Sequence, residues 1–358
     1  MYPRLKIDLK KFKHNAKILL DLCNSKGISV AAVTKVFCAA PEMVKVLNDL
    51  PFEFLADSRL ENIESYPAQR KARTLLLRLP SPSEAARVVA SCDTSCNSEL
   101  YTLRKLAAAA TAQGKKHGII LMVDLGDLRE GIYYNNEALL NETADFIHAQ
   151  EGLTLEGLGV NLTCYGAILP TPDNLQRLCG MARKLEERLG TPLKIISGGN
   201  SSSLYLLEKN EIPAGVNNLR LGESIVRGME TAFSTPYPGL AVDVVTLEAE
   251  IIEIMEKPSF PEGKKGGFDA FGQEPHFEDH GIRRRAILAV GRQDTDFEGL
   301  TSTDNRIKVV GASSDHLIVD ITDSEKALSI GDTLEFSMSY GAILAGFTSK
   351  YVEKHFSE

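Results

Sequence analysis

Between Ile28 and Gly222, short apolar or β-branched runs alternate with longer stretches whose apolar positions recur every three or four residues. Runs of the first kind suit strands buried on both faces, and stretches of the second suit helices with one buried side. The pattern predicts strands over Ile28–Val33, Phe52–Ala56, Thr74–Leu79, Cys92–Ser95, Gly118–Val123, Leu155–Val160, Leu193–Ile196 and Val216–Leu219. It predicts helices over Glu42–Leu50, Arg59–Arg70, Pro82–Ala90, Ser98–Gln113, Asn136–Gln150, Asp173–Leu189 and Ser201–Lys209, after an earlier one over Leu9–Lys26 that ends at Gly27. Asp173 stands where an N-cap is wanted, and Gly190 where a C′ glycine belongs. An α/β chain of this kind reads as a (β/α)8 barrel, with a doubly wound sheet as the alternative. After about Phe233 the helical period fades. Strands predicted over Val242–Met255, Arg285–Val290, Ile307–Val310, Leu317–Ile321 and Thr333–Phe336, separated by turn residues, describe a mainly β domain. The expected division is therefore a barrel over 1–233 and a mainly β C-terminal domain over 234–358. Between the first two of these strands, Glu256–Asp279 is rich in Gly, Pro and charge and long enough to be a functional loop.

The 358 residues carry 40 Lys+Arg against 48 Asp+Glu, and 43% are hydrophobic. That apolar share excludes disorder, and the net charge of −8 argues against a nucleic-acid binder, which normally shows a basic excess. No run approaches the roughly 20 apolar residues of a membrane span. Six cysteines without a C-x-x-C pair favour a reducing cytoplasm over a disulfide framework, and no His, Cys or carboxylate spacing marks a metal site. An enzyme acting on a small molecule fits these limits.

In a (β/α)8 barrel the chemistry sits where strands end and loops begin. Those positions here are polar: Lys35, Asp57 and Arg59, Arg78, Asn97, Asp124 and Arg129, Asn161, Ser197–Ser203, and Arg220–Ser224. The last two segments join glycines to hydroxyls just before helix starts, where free backbone N–H groups favour an anion such as phosphate. Lys35 follows the apolar run Val30–Val33, so its amine can serve as a Schiff-base nucleophile; a lysine reaching from a strand end to solvent is the alternative. An amine, a phosphate cradle and a partner for a ring nitrogen together suit pyridoxal 5′-phosphate. Arg220 can be that partner, or it can pair with Glu223 at the surface. A guanidinium cannot accept a proton, so beside it the pyridine stays unprotonated and is a weaker electron sink.

Several ordered motifs resemble the alanine racemase superfamily of pyridoxal-phosphate enzymes, and in particular its ornithine racemase branch. They are Ile7-Asp8-Leu9 with His14-Asn15, Ala32-Val33-Thr34-Lys35-Val36-Phe37-Cys38, Asp57-Ser58-Arg59 with Asn62, Asp124–Gly131, Ser197-Gly198-Gly199-Asn200-Ser201 and Leu219-Arg220-Leu221-Gly222-Glu223, and the likeness runs through Gly331-Asp332 to Ser339-Tyr340. The resemblance implies that Lys35 carries the cofactor, that Arg220 meets its ring nitrogen, and that Ser201, Gly222, Glu223, Ser224 and Tyr340 hold its phosphate. It also implies a homodimer whose active sites are shared between subunits.

Departures from the family pattern bear on the substrate. Met122 stands where alanine racemases have a lysine seven residues before the arginine matched by Arg129, leaving Arg129 to be oriented by Asp124 or Asp127. Asn161 replaces the histidine packed over the cofactor. The tyrosine of the family's G-Y-x-D, its second proton-transfer group, is missing, because this chain reads Gly291-Arg292-Gln293-Asp294. Racemisation needs acid/base groups on both faces of the α-carbon. Lys35 supplies one, and Asp294, Asp315 and His316 are candidates for the other. Arg292 suits a substrate carboxylate, and Asp294 or Asp315 the distal cation of ornithine or lysine. The expected activity is racemisation of a basic amino acid, with a pyridoxal-phosphate decarboxylase of the same architecture, or a non-catalytic handler of the cofactor, as alternatives.

Overall fold

Strands buried on both faces pack as a closed parallel sheet, and the eight predicted strands do this. In a computed structural model describing residues 1–358, they are β2 (Ser29–Val33), β3 (Phe54–Asp57), β4 (Arg73–Leu76), β5 (Thr94–Asn97), β6 (His117–Asp124), β8 (Leu153–Val160), β9 (Ile195–Ser197) and β10 (Asn218–Leu221). β1 (Arg4–Asp8) precedes them in the chain, and the two-residue β7 (Ile132–Tyr133) lies beside β6. Neighbours pair in parallel in the order β2-β3-β4-β5-β6-β8-β9-β10, and β10 returns to β2, closing the barrel. Its inside is filled by side chains such as Val33, Phe54, Ala56, Leu75, Ile120 and Met122. No helix of the chain is long and apolar enough to cross a membrane.

Most predicted helices form with shifted ends. The predicted Arg59–Arg70 helix spans only Leu60–Glu64, because Tyr66 precedes Pro67 and proline disfavours helical backbone at the residue before it. Thr171, not Asp173, caps the helix Pro172–Leu189, in a reciprocal box with Asn174, and Gly190 closes it at φ 63°. The segments predicted as helices at Pro82 and Ser201 open as short 3₁₀ turns before becoming helical.

Contacts divide the chain into Leu9–Val242 and a second unit made of Met1–Asp8 with Asp243–Glu358. The expected boundary at residue 233 therefore moves to 242, and the N-terminal strand changes sides. The physical reason is pairing: β1 joins β13 (Val245–Pro258) antiparallel and β19 (Glu353–Ser357) in parallel. A ribbon of β11 (Met229–Glu230) and β12 (Thr235–Pro236) ends the barrel unit. The other unit's sheet runs β15-β18-β13-β14-β17-β16, using β14 (Ile282–Leu288), β15 (Leu300–Ser302), β16 (Lys308–Ala312), β17 (Leu317–Asp320) and β18 (Thr333–Met338). Residues 259–281, most of the predicted loop, connect β13 to β14 without regular structure. The helix Tyr340–Thr348, not foreseen from the sequence, presents Gly346 to Leu5 closely enough that a Cβ there would lie 3.2 Å from it.

At the N-terminal end of the barrel strands, His117 is 1% exposed. Its Nδ1 faces Cys92 O at 3.2 Å and its Nε2 faces Ser95 Oγ at 2.7 Å. A carbonyl only accepts, so Nδ1 carries the proton and Nε2 accepts from the serine, which is the neutral ring. Burial pushes the pKa down to about 4. Between pH 6.5 and 4 the unfolded chain binds a proton that the folded chain refuses, so stability falls as pH falls through that window, by up to about 3 kcal/mol. Urea unfolding of the parent and His117→Gln at pH 7 and 4.5 checks this: the parent is expected to lose more stability between the two than the variant, and equal losses refute it.

Candidate active site

Three adjacent strands deliver the first part of the site. β10 lies between β2 and β9, so the Lys35 turn after β2, Arg220 within β10 and the serine segment after β9 share one end of the barrel. Lys35 opens the 3₁₀ turn Lys35–Phe37 and is half-buried. Arg220 is 5% exposed; its Nη1 donates to Ser197 Oγ at 2.5 Å and its Nη2 to Val160 O at 2.6 Å. Burial pulls its pKa below the ordinary arginine value. Glu223 pairs with Arg227 instead, which disposes of the surface ion pair with Arg220.

The hydroxyl segments also meet. Ser201 Oγ lies 3.0 Å from Ser224 Oγ and accepts from Ser224 N at 3.2 Å, and Asn200 Oδ1 accepts from Ser202 N at 2.8 Å. Gly199 takes φ +114°, a conformation open to glycine, and a Cβ on Gly222 would come within 2.9 Å of Val33 Cβ. The buried Ser202 hydroxyl has no hydrogen-bond partner, a donor left over in this segment.

Arg129 is oriented by neither Asp124 nor Asp127. Its guanidinium pairs with Glu130 and also faces the Asn161 amide, 2.8 Å from Nη1. A guanidinium only donates, so the amide turns its oxygen to that side. The two aspartates instead hold backbone: Asp124 Oδ1 accepts from Gly126 N and Leu128 N, and Asp127, 1% exposed, accepts from Cys164 N, Tyr165 N and Ile168 N. Met122 is buried in the barrel. Asn97 is buried in β5, and Arg78 pairs with Glu84 at 3.5 Å.

In the β unit, the Gly291–Asp294 turn meets the Ser313–His316 turn, with Arg292 N donating to Ser313 O and Gln293 N to Ser314 O. His316 Nδ1 lies 2.9 Å from Asp315 Oδ1, and the imidazole holds that carboxyl below its ordinary range. Arg292 donates from Nε to Ala312 O and stacks on Phe271 and Phe297. Asp294 is 6% exposed and its Oδ2 accepts from Gly291 N at 2.9 Å. It braces the turn that carries Arg292. Tyr340 is the first residue of its helix, after the capping Ser339. Sequence reasoning missed Glu130 and Tyr66; Glu130 was signalled only by its adjacency to Arg129.

A family model described as the alanine racemase N-terminal domain matches residues 7–229. The chain belongs to the alanine racemase family. It is 47% identical to an ornithine racemase of Acetoanaerobium sticklandii over 99% of both chains. It is 38% identical to a lysine racemase of Thermotoga maritima over 99% of this chain and 98% of the other. Among solved structures it is similar to alanine racemase from Bartonella henselae with covalently bound pyridoxal phosphate, at a TM-score of 0.73, 16% identity and 99% coverage of each chain. That likeness confirms the barrel and β-unit architecture. The family's racemases depend on pyridoxal phosphate. The residues here fit that group: an amine at Lys35, a buried cation hydrogen-bonded to no carboxylate at Arg220, and paired hydroxyls with one unspent donor at Ser201–Ser224.

Removing the Asp127 carboxylate strands three backbone donors around Cys164–Ile168, at a cost of about 2–4 kcal/mol. Asp127→Ala is expected to speed hydrogen exchange at Tyr165 and Ile168; unchanged protection there refutes the bracing role.

Proposed function

We propose that this chain is a pyridoxal-phosphate-dependent racemase of a basic amino acid, ornithine or lysine. The observation that carries it is the delivery of Lys35, Arg220 and Ser201 by three neighbouring strands to one barrel end, in a chain so similar to ornithine and lysine racemases. Lys35 would hold the cofactor's aldehyde, Arg220 its ring nitrogen, and Ser201, Gly222, Glu223, Ser224 and Tyr340 its phosphate, with Asn161 beside the ring. When bound, the group supplies the electron withdrawal that loosens an amino acid's α-proton.

The chain's own groups then govern where that proton goes. Arg220 donates and never accepts, so it leaves the ring nitrogen unprotonated and holds the withdrawal to what α-proton removal needs. Lys35 Nζ handles the proton on one face. His316 serves the other through Nε2, with Nδ1 held by Asp315, so one ring atom is left to exchange a proton. Arg292 keeps its terminal nitrogens for a carboxylate, since Nε is spent on Ala312 O. Arg129, paired with Glu130, offers a second cationic contact. The protein would act as a cytoplasmic homodimer, each site completed by the partner; six free thiols accord with a reducing compartment.

Borohydride reduction of the purified enzyme followed by peptide mass mapping is expected to place the cofactor on Lys35, and attachment to another lysine overturns the assignment. Incubating one enantiomer of ornithine or lysine in heavy water is expected to erase optical rotation as deuterium enters the α-position. Carbon dioxide release would select the decarboxylase instead, and retention of the α-proton with unchanged rotation would leave the racemase reading untenable.

A further inference from the structure

Asp57 is fully buried at the end of β3 and forms no ion pair. Its Oδ2 accepts from Thr34 Oγ1 at 2.5 Å, while Oδ1 accepts from Arg59 N at 2.9 Å and from Asn62 Nδ2 at 3.0 Å. The Thr34 hydroxyl has one hydrogen and spends it on the carboxylate, so the Tyr66 phenol, 2.7 Å away, donates to Thr34. Burial pushes both Asp57 and Tyr66 upward, which keeps the phenol a donor; the bonds from Thr34, Arg59 and Asn62 pull Asp57 back. A buried carboxylate without a cation is expensive and needs a reason to be kept.

The reason lies one residue further on. Thr34 N donates to Ala56 O at 2.9 Å, and Thr34 O accepts from Phe37 N and Ala39 N, so Thr34 anchors the Lys35 turn on both sides. That turn is strained: Cys38 and Ala39, neither of them glycine, take φ 49° and 52° in succession. Such backbone persists where its surroundings over-determine it. We propose that Asp57 is a positioning residue that acts through the Thr34 hydroxyl, with Tyr66 in support, to hold the strained Lys35 turn with its amine presented for cofactor capture. This rests on Lys35 being the lysine that takes the cofactor.

The test uses the full-length chain stripped of cofactor with hydroxylamine. The second-order rate constant for uptake of added pyridoxal phosphate is followed by visible absorbance, and the labelled lysine is identified after borohydride. Thr34→Val removes the hydroxyl at constant shape, and Thr34→Ser keeps it. Uptake is expected to slow about tenfold or more in Thr34→Val and to stay within about threefold of the parent in Thr34→Ser, as loss and retention of one hydrogen bond to a charged group require. Asp57→Asn, with one oxygen acceptor where there were two, is expected to slow uptake similarly, so the proposal stands or falls even if Thr34→Val does not fold. Capture on Lys35 at the parent rate in either impaired variant overturns the positioning role while leaving the function intact. A parent that captures no cofactor at Lys35 overturns the functional reading and this proposal together.

Discussion

Arg220 spends two nitrogens on Val160 O and Ser197 Oγ, contacts that tie β10 to the ends of β8 and β9, and no carboxylate hydrogen-bonds to it, although Glu130 acts on its charge from further away. A buried cation held this way costs several kcal/mol of lost hydration, repaid only in part by two hydrogen bonds. The barrel makes room for it: a Cβ on Gly159 would lie 3.6 Å from Arg220 Nη1 and 3.0 Å from Met122 Sδ. Met122 and Arg220 thus border the same glycine.

Carboxylates near this end of the barrel are divided between scaffold and chemistry, and most go to the scaffold. Asp57, Asp124 and Asp127 each accept from two or more backbone or side-chain donors, and Glu130 answers Arg129. Little negative charge is left uncommitted among them for a substrate's distal ammonium. The β unit differs, since Asp315 is exposed and leans on a titratable ring.

How much of this could be read from the chain depended on how local each interaction is. The barrel strands were legible because β6 is buried at every position and reads as an apolar run from Gly118 to Val123. Lys35, Arg220 and the serine segment were legible because each sits at a strand's end in its own motif. Pairing across the whole chain was not: β1 looks like a barrel entry until its bonds to β13 and β19 are seen. The Thr34–Asp57–Tyr66 relay joins residues up to 32 positions apart and leaves no periodic trace. The orientation of Arg129 went unread because the charged neighbour that decides it is the commonplace next residue, Glu130.

Because β1 lies between β13 and β19, the barrel is spliced into the β unit's sequence. On a ribosome, Leu9–Val242 can close as soon as it has emerged, whereas β1 waits for its partners β13 and β19, both made after the barrel. Until then it is an unmatched strand with both backbone edges bare, the kind of surface that chaperones and proteases inspect. A chain that stalls before β19 would keep one of those edges open, so the state of β1 reports whether synthesis has passed Glu353–Ser357.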